Sequence, residues 1–129
     1  MSAPYRKLPF QVGVAVSDRY QMTAEYVRTF AQMSGDDNPI HVNPADPSCL
    51  PALRALGIHG AIGHGMFLLA RASGVLYHLG GPTTLFGEMG SIRFLRPVEV
   101  GTFVTIKGVI GAAQERNSDK RGTYWKCLA

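Results

Sequence analysis

One segment constrains the fold of this chain more than any other, because residues 65–79 are apolar around almost their whole helical circumference. Gly65 to Leu79 carries mostly Met, Phe, Leu, Ala and Val side chains, and Gly80, Gly81 and Pro82 follow as a stop signal. A helix that is hydrophobic on nearly every side must be enclosed by other structure. Arg71 and His78 interrupt it, and it is too short to span a bilayer. The sequence therefore predicts a buried central helix and no membrane association.

The rest of the chain predicts one earlier helix and several strands. Thr23 is a plausible N-cap and Gly35 a plausible C′ residue, which bounds the first helix. An irregular stretch rich in proline and glycine follows from Val42 to Gly63. Period-two alternation predicts strands at Phe10–Val16, Glu88–Arg96, Phe103–Ile110 and Thr123–Ala129, with a short helix around Pro51–Leu56 and a polar connection at Gln114–Arg121. One antiparallel sheet curled around the apolar helix is the economical packing, an α+β hot-dog arrangement.

Composition narrows the functional classes. A length of 129 residues suits one domain, here spanning residues 1–129, and 46% hydrophobic with 17% charged residues is typical of a globular protein. The net charge of +4 is scattered and forms no basic stripe, which argues against nucleic-acid binding. The two cysteines have no CxxC spacing, so no disulfide framework or zinc motif is predicted. The first residues lack an apolar run, and the expected location is the cytoplasm.

Asp36 and His41 are the first candidates for chemistry. They lie five residues apart on a bend stiffened by Pro39, so a carboxylate and an imidazole can face one point. Histidine suits proton transfer near neutral pH. The same Gly-Asp-Asp-Asn-Pro run is also good turn chemistry without any catalytic role. Both interpretations remain open on the residues alone.

The start of the apolar helix is the second candidate. Glycines flank His64, and the free N–H groups of a first helical turn can hold a carbonyl oxygen while negative charge builds on it. A glycine-rich helix entry without a ligand is the alternative. Ser73, further along the helix, either bonds to a backbone carbonyl one turn back or faces the site.

Three segments carry a resemblance to a known family. Phe30 to His41 reads Phe-Ala-Gln-Met-Ser-Gly-Asp-Asp-Asn-Pro-Ile-His and resembles the signature of the MaoC-like, (R)-specific enoyl-CoA hydratases. Gly57 to Met66, ending in His-Gly-Met, and Ser91 to Pro97 resemble two further segments of that family. The resemblance covers roughly Tyr20 to Ile110.

The resemblance implies a fold, a reaction and a set of roles. It implies a hot-dog fold, reversible hydration of a 2-enoyl thioester carried by coenzyme A or an acyl carrier protein, a homodimer, and no cofactor or metal. Asp36 and His41 match the acid/base pair, and Asn38 matches the residue that shapes the bend. The substrate contacts that it implies are Asn38, His64, Gly65, Met66 and Ser73. Relative to the family, residues 42–63 contain an insertion over the acyl pocket, and the chain ends one strand short.

Four alternatives remain. Asp36, His41, His59 and His64 could hold a metal, although His59 and His64 are five apart and not at the four-residue spacing of one helix face. A hot-dog thioesterase shares the fold. A non-catalytic acyl-thioester-binding or partner subunit of a heteromeric dehydratase would lack the acid/base pair, which is present here. A natural-product dehydratase or cyclase would use the same residues.

Overall fold

A computed structural model of the chain describes residues 12–82, 85–87, 89–118 and 122–128. These residues form two compact units. The helix–loop unit comprises the described parts of Arg19–Arg71 and Glu88–Thr105, and the hairpin unit comprises those of Met1–Asp18, Ala72–Gly87 and Ile106–Ala129. The single domain predicted from the length stays a prediction.

Helix α1 (Ala24–Ser34) is capped as the sequence predicted. The Thr23 hydroxyl accepts a hydrogen bond from the Tyr26 N–H at 3.1 Å, which satisfies one of the open donors of the first turn. Gly35 ends the helix with a φ of 75°, and its N–H donates to the Ala31 carbonyl at 2.9 Å. Glycine adopts this left-handed conformation without a steric penalty. The two caps fix the direction in which the chain enters the following bend.

Two short helices follow in the helix–loop unit. α2 (Pro39–Val42) is a single helical turn where the sequence predicted an irregular bend. α3 (Leu50–Ala55) confirms the short helix predicted in the proline-rich stretch. The two are joined by a small core of buried side chains, Cys49, Leu53 and Ile58, with Ile40 and Ile62 packed against it. Between them, the Ser48 hydroxyl and N–H both donate to Asp46 Oδ1, and these bonds hold the pKa of the Asp46 carboxyl below its usual value.

Helix α4 (Gly65–Gly80) is the apolar helix, and it runs one residue further than predicted. Its 16 residues span about 24 Å. Val75 and Gly80 are buried, whereas Met66 is 58% and Tyr77 is 52% exposed. The prediction of a helix enclosed on nearly every side is therefore met only in part. No helix of the described residues is long and apolar enough to cross a membrane.

Strands β1 (Ala15–Gln21) and β2 (Phe103–Val109) form a two-stranded sheet. Backbone hydrogen bonds join Gly13 to Ile110 beyond one end and Met22 to Thr102 beyond the other, so the strands are antiparallel. The strand predicted to end at Ser17 and Asp18 continues through both residues, because its pairing with β2 continues to Met22. Of the strand predicted at Phe10–Val16, residues 12–14 precede β1 and are not part of it, and residues 10 and 11 lie outside the described residues.

Strands β3 (Ala112–Ser118) and β4 (Gly122–Leu128) form an antiparallel hairpin, in which Ala112 lies opposite Leu128. The strand predicted from Thr123 is confirmed as β4, and its predicted end at Ala129 lies outside the described residues. The polar connection predicted from Gln114 was wrong as far as Ser118, because a hairpin pairs the backbone whatever the polarity of the side chains. Elsewhere in the hairpin unit, β2 lies against α4, since a Cβ added to Gly108 would lie 2.7 Å from Val75 Cγ1.

The strand predicted from Glu88 to Arg96 does not form in the described part of that segment. Residues 91–97 are all exposed, so the alternating pattern buries no face. Pairing begins only after Pro97, where the Gly63 N–H donates to the Val98 carbonyl at 2.7 Å. Helices and antiparallel strands are present as predicted. The described strands, however, form two separate two-stranded sheets and not one curled sheet.

Candidate active site

The bend between α1 and α2 is held by a series of local hydrogen bonds. Ser34 Oγ donates to the Phe30 carbonyl at 2.6 Å and accepts from the Asp36 N–H at 3.2 Å. Asp36 Oδ1 accepts from the Asn38 N–H at 3.3 Å, and Asn38 Oδ1 accepts from the Ile40 N–H at 3.2 Å. This is the capping that Ser, Asp and Asn provide in turns. The turn chemistry occupies Asp36 Oδ1 and leaves Oδ2 for another role.

The second oxygen of Asp36 faces His41. His41 lies on α2 with 9% of its surface exposed, and its Nδ1 is 2.6 Å from the Ile62 carbonyl oxygen. A carbonyl oxygen only accepts, so Nδ1 carries the proton and, in the neutral ring, Nε2 presents a lone pair. That Nε2 is 3.9 Å from Asp36 Oδ2. The two proton-accepting atoms therefore face each other across a narrow gap, with the Asp36 side chain 53% exposed.

His64 lies behind this pair. It is 2% exposed, and its Nε2 is 2.8 Å from the backbone oxygen of Asp36. Its ring stacks on that of His41, with centroids 3.8 Å apart and planes 25° apart, and its centroid is 4.9 Å from that of Phe30. Its Nδ1 is buried and has no hydrogen-bond partner among the described residues. The substrate contact predicted for His64 stays a prediction, and so small an exposed surface does not favour it.

A cleft of about 420 Å³ opens beside His41 in the helix–loop unit. One side is formed by Ile62, Gly63 and the first residues of α4, and the other by the segment from Phe94 to Val98. The Phe67 N–H donates to the His64 carbonyl at 3.0 Å. The N–H groups of Gly65 and Met66 precede it and have no acceptor within the helix. The start of α4 therefore brings free backbone donors to the same cleft as His41.

The predicted site residues divide between the two units. The helix–loop unit brings together Asp36, Asn38, His41, His64, Gly65 and Met66. Ser73 lies on α4 in the hairpin unit and is exposed, and the substrate contact predicted for it stays a prediction.

Sequence reasoning missed the side of the cleft formed by residues 94–98. Phe94 packs over the start of α4, since a Cβ added to Gly65 would lie 3.0 Å from Phe94 Cε1. Leu95 is 85% exposed. The sequence did contain a signal for this surface. Phe94 and Leu95 are adjacent apolar residues, and adjacent residues of a strand face opposite sides, so a single core could not bury both.

The ligand atoms of Asp36, His41 and His64 all lie within 4.8 Å of one another. Zinc with bonds of about 2.1 Å holds tetrahedral ligands roughly 3.4 Å apart, and the gap from His41 Nε2 to Asp36 Oδ2 is wider, at 3.9 Å. His59 lines a separate cavity of about 290 Å³ together with Arg54. A metal-free site stays a prediction.

Comparison with known proteins identifies the family. The MaoC-like domain matches residues 8–125. An (R)-hydratase from A. caviae involved in PHA biosynthesis is 33% identical with a TM-score of 0.68, covering 81% of this chain and 74% of that one. The R-hydratase PhaJ1 from Pseudomonas aeruginosa is 28% identical with a TM-score of 0.62, covering 78% of this chain and 63%, just under two thirds, of that one. A search among curated proteins finds no match.

A more distant likeness supports the fold alone. A monoamine oxidase regulatory protein from Archaeoglobus fulgidus is 22% identical with a TM-score of 0.64, covering 88% of this chain and 73% of that one. The family match spans nearly the whole sequence, so the chain belongs to the MaoC-like family, as its bend and helix-entry motifs predicted. Its structural neighbours include (R)-hydratases of the hot-dog fold.

Proposed function

We propose that this protein is an (R)-specific enoyl-thioester hydratase, which reversibly adds water across the C2–C3 double bond of a 2-enoyl group carried by coenzyme A or a carrier protein. One observation carries the proposal. His41 Nε2 and Asp36 Oδ2 lie 3.9 Å apart, and His41 lines the same cleft as Gly65 at the start of α4. The hydratases among the structural neighbours support the reaction class.

The gap between the pair has the width that one water molecule needs. If a water oxygen lay about 2.8 Å from both atoms, the angle between the two atoms at that oxygen would be about 90°. This is close to the angle between the two O–H bonds of water. Such a water donates one hydrogen to His41 Nε2 and the other to Asp36 Oδ2, and its lone pairs point away from both. The proposal places C3 of a substrate in the cleft on the side to which these lone pairs point.

The proton that the water loses passes through His41 to the substrate. As the water oxygen bonds to C3, its proton moves to His41 Nε2, while Asp36 keeps the remaining hydroxyl oriented. The π electrons of the double bond shift onto the thioester oxygen as an enolate. His41 returns the proton to C2 on the same face, which restores the thioester and leaves a 3-hydroxyacyl product. Dehydration reverses these steps, and one positioned acid or base typically contributes about 10²–10⁴-fold in rate.

The enolate oxygen needs its own stabilisation. The N–H groups of Gly65 and Met66 lack acceptors within α4, and a helix N-terminus carries a partial positive charge. Fixed donors of this kind stabilise a developing oxyanion without reorganising during the reaction. We assign the thioester oxygen to these two groups and the acyl chain to the apolar side chains of Phe94, Leu95 and Val98 on the other side of the cleft.

The finer architecture belongs to the same proposal. The antiparallel sheet would wrap around α4 as in the hot-dog fold, and the protein would act as a homodimer. Several large apolar side chains are exposed, among them Leu85 at 90%, Phe86 at 52% and Ile92 at 42%, and a second subunit would cover side chains of this kind. Sedimentation at micromolar concentration should give twice the monomer mass, and a monomer at every concentration would refute this assembly.

Hydration of crotonyl-CoA and of the crotonyl carrier-protein thioester, followed by loss of the ultraviolet absorbance of the conjugated enoyl group, tests the function. We expect turnover, with (R)-3-hydroxybutyryl thioester as the product. His41→Ala should abolish most of it, whereas His78→Ala, at an exposed histidine near the end of α4, should not. A wild-type protein that binds acyl thioesters but turns over none would favour the non-catalytic subunit instead.

A further inference from the structure

His64 contacts both members of the proposed acid/base pair while presenting almost no surface to the cleft. Its Nε2 faces the backbone oxygen of Asp36 at 2.8 Å, and its ring stacks on His41 with centroids 3.8 Å apart. We propose that His64 is a positioning residue, which sets the separation and orientation of Asp36 and His41 without touching substrate. This rests on the proposed hydratase function and adds a third residue, and a second histidine, to that site.

The contact with Asp36 fixes the backbone from which the carboxylate projects. A carbonyl oxygen accepts only, so His64 Nε2 carries the proton and donates it to the Asp36 oxygen. The Asp36 N–H is held by Ser34 Oγ at 3.2 Å. The peptide groups on either side of the Asp36 Cα are thus both anchored, which limits the positions that Oδ2 can reach.

The contact with His41 fixes the imidazole. One ring nitrogen of His41 donates to the Ile62 carbonyl at 2.6 Å, and that bond alone leaves the ring free to swing about its axis. The stacked face of His64, with planes 25° apart, restricts this swing. Phe30 lies 4.9 Å from the His64 ring and supports it in turn. Hydrogen bond and stacking together keep His41 Nε2 directed at Asp36 Oδ2.

The unpaired nitrogen shows why packing alone does not account for this residue. His64 Nδ1 is buried and has no hydrogen-bond partner among the described residues. A phenylalanine would supply a similar flat ring without burying an unsatisfied acceptor. The feature that phenylalanine cannot supply is the N–H donated to Asp36, and we infer that histidine stands here for that bond.

Two substitutions separate the two contacts. His64→Phe keeps a ring against His41 and removes the donor, whereas His64→Gln keeps an N–H near the position of Nε2 and removes the ring. We expect His64→Phe to lower kcat for crotonyl-CoA by about 10- to 100-fold with KM changed less than about threefold, because misplacing catalytic groups costs rate and not affinity. His64→Gln should recover part of that loss. The matched His78→Phe variant, at an exposed histidine, should retain wild-type kcat.

Circular dichroism and the melting temperature establish that the variants fold. A folded His64→Phe variant with wild-type kcat would overturn the proposal, as would a rise in KM equal to the loss in kcat, since that would make His64 a substrate contact.

Nuclear magnetic resonance of the imidazole nitrogens gives a second readout that needs neither folded variants nor turnover. In the wild type, His64 should be protonated at Nε2 and unprotonated at Nδ1. His41 should be protonated at Nδ1 and unprotonated at Nε2. The opposite tautomer at His64 would overturn the proposal even in an active enzyme. The expected tautomers in a protein that hydrates no enoyl thioester would refute the proposed function and leave the positioning contacts standing.

Discussion

The two sides of the cleft are built in contrasting ways. On one side His41 and the two residues behind it, Asp36 and His64, are tied atom by atom, through hydrogen bonds to backbone groups and through ring stacking. On the other side the segment from Phe94 to Pro97 is apolar at Phe94 and Leu95, exposed, and without regular secondary structure. Hydrogen bonds fix the orientation of the groups that they join. Apolar surface contributes to binding roughly in proportion to the area that is buried, without fixing the orientation of a ligand. Changes on the polar side should therefore alter kcat, and changes on the apolar side should alter KM.

The largest effect should come from the acid/base pair itself. Asp36→Asn keeps the shape of the side chain and His41→Gln keeps only its approximate length, and both remove the basic atom, so each should lower kcat for crotonyl-CoA by about 10²–10⁴-fold. Because both residues act on one water, the double variant should lose little more than the worse single variant. Steady-state kinetics on the three proteins measures this. A double loss equal to the product of the two single losses would separate the residues into independent roles.

A smaller effect should follow where the two sides meet. A Cβ on Gly65 would lie 3.0 Å from Phe94 Cε1, so Gly65→Ala should displace the ring and narrow the approach to the start of α4. We expect kcat/KM to fall on the order of 10-fold. Phe94→Leu in the same chain should restore most of it, because it removes the crowded ring edge. Failure of that second substitution to restore activity would place the loss in the helix backbone and not in the contact with Phe94.

The apolar side should give a still smaller effect, confined to binding. Leu95 is 85% exposed, and the proposed position of the acyl chain would bury it. Leu95→Ser should raise KM for a long 2-enoyl-CoA by about 3- to 10-fold, from roughly 1 kcal/mol of lost apolar contact. KM for crotonyl-CoA and kcat for both substrates should stay within about twofold. An equal effect on the short and long substrates would place the acyl chain elsewhere.

The smallest effect is expected on removing metals. The proposed chemistry uses only protein groups and water, so dialysis against EDTA should leave kcat within about twofold of the untreated protein. Loss of activity on chelation, restored by zinc, would instead show that the reaction requires a metal, for which Asp36, His41 and His64 are the candidate ligands.

Local sequence predicted the polar side of the cleft far better than the apolar side. Thr23, Gly35 and Asn38 form the caps that their residue types and positions indicate, because a cap depends on neighbours only two to four residues away. The bend that carries Asp36 and His41 is built from such contacts.

Contacts between residues that are distant in sequence could not be inferred from residue type and local position. The alternation from Glu88 to Arg96 predicted a strand, but a strand also requires a partner, and pairing begins only at Val98 with Gly63. The burial of His64 likewise depends on Phe30 and His41, each more than one element away. Its glycine neighbours indicated a helix entry but not the face that the imidazole would present.

The central claim is that one water, held between His41 Nε2 and Asp36 Oδ2, attacks a thioester whose oxygen rests on the first N–H groups of α4. A high-resolution crystal structure with a saturated acyl-CoA bound tests this most directly. The account predicts an ordered water within about 3.2 Å of both atoms and the thioester oxygen at hydrogen-bond distance from Gly65 or Met66 N. A bound thioester whose acyl C3 lies remote from His41, or an Asp36 carboxylate turned away from it, would contradict the account.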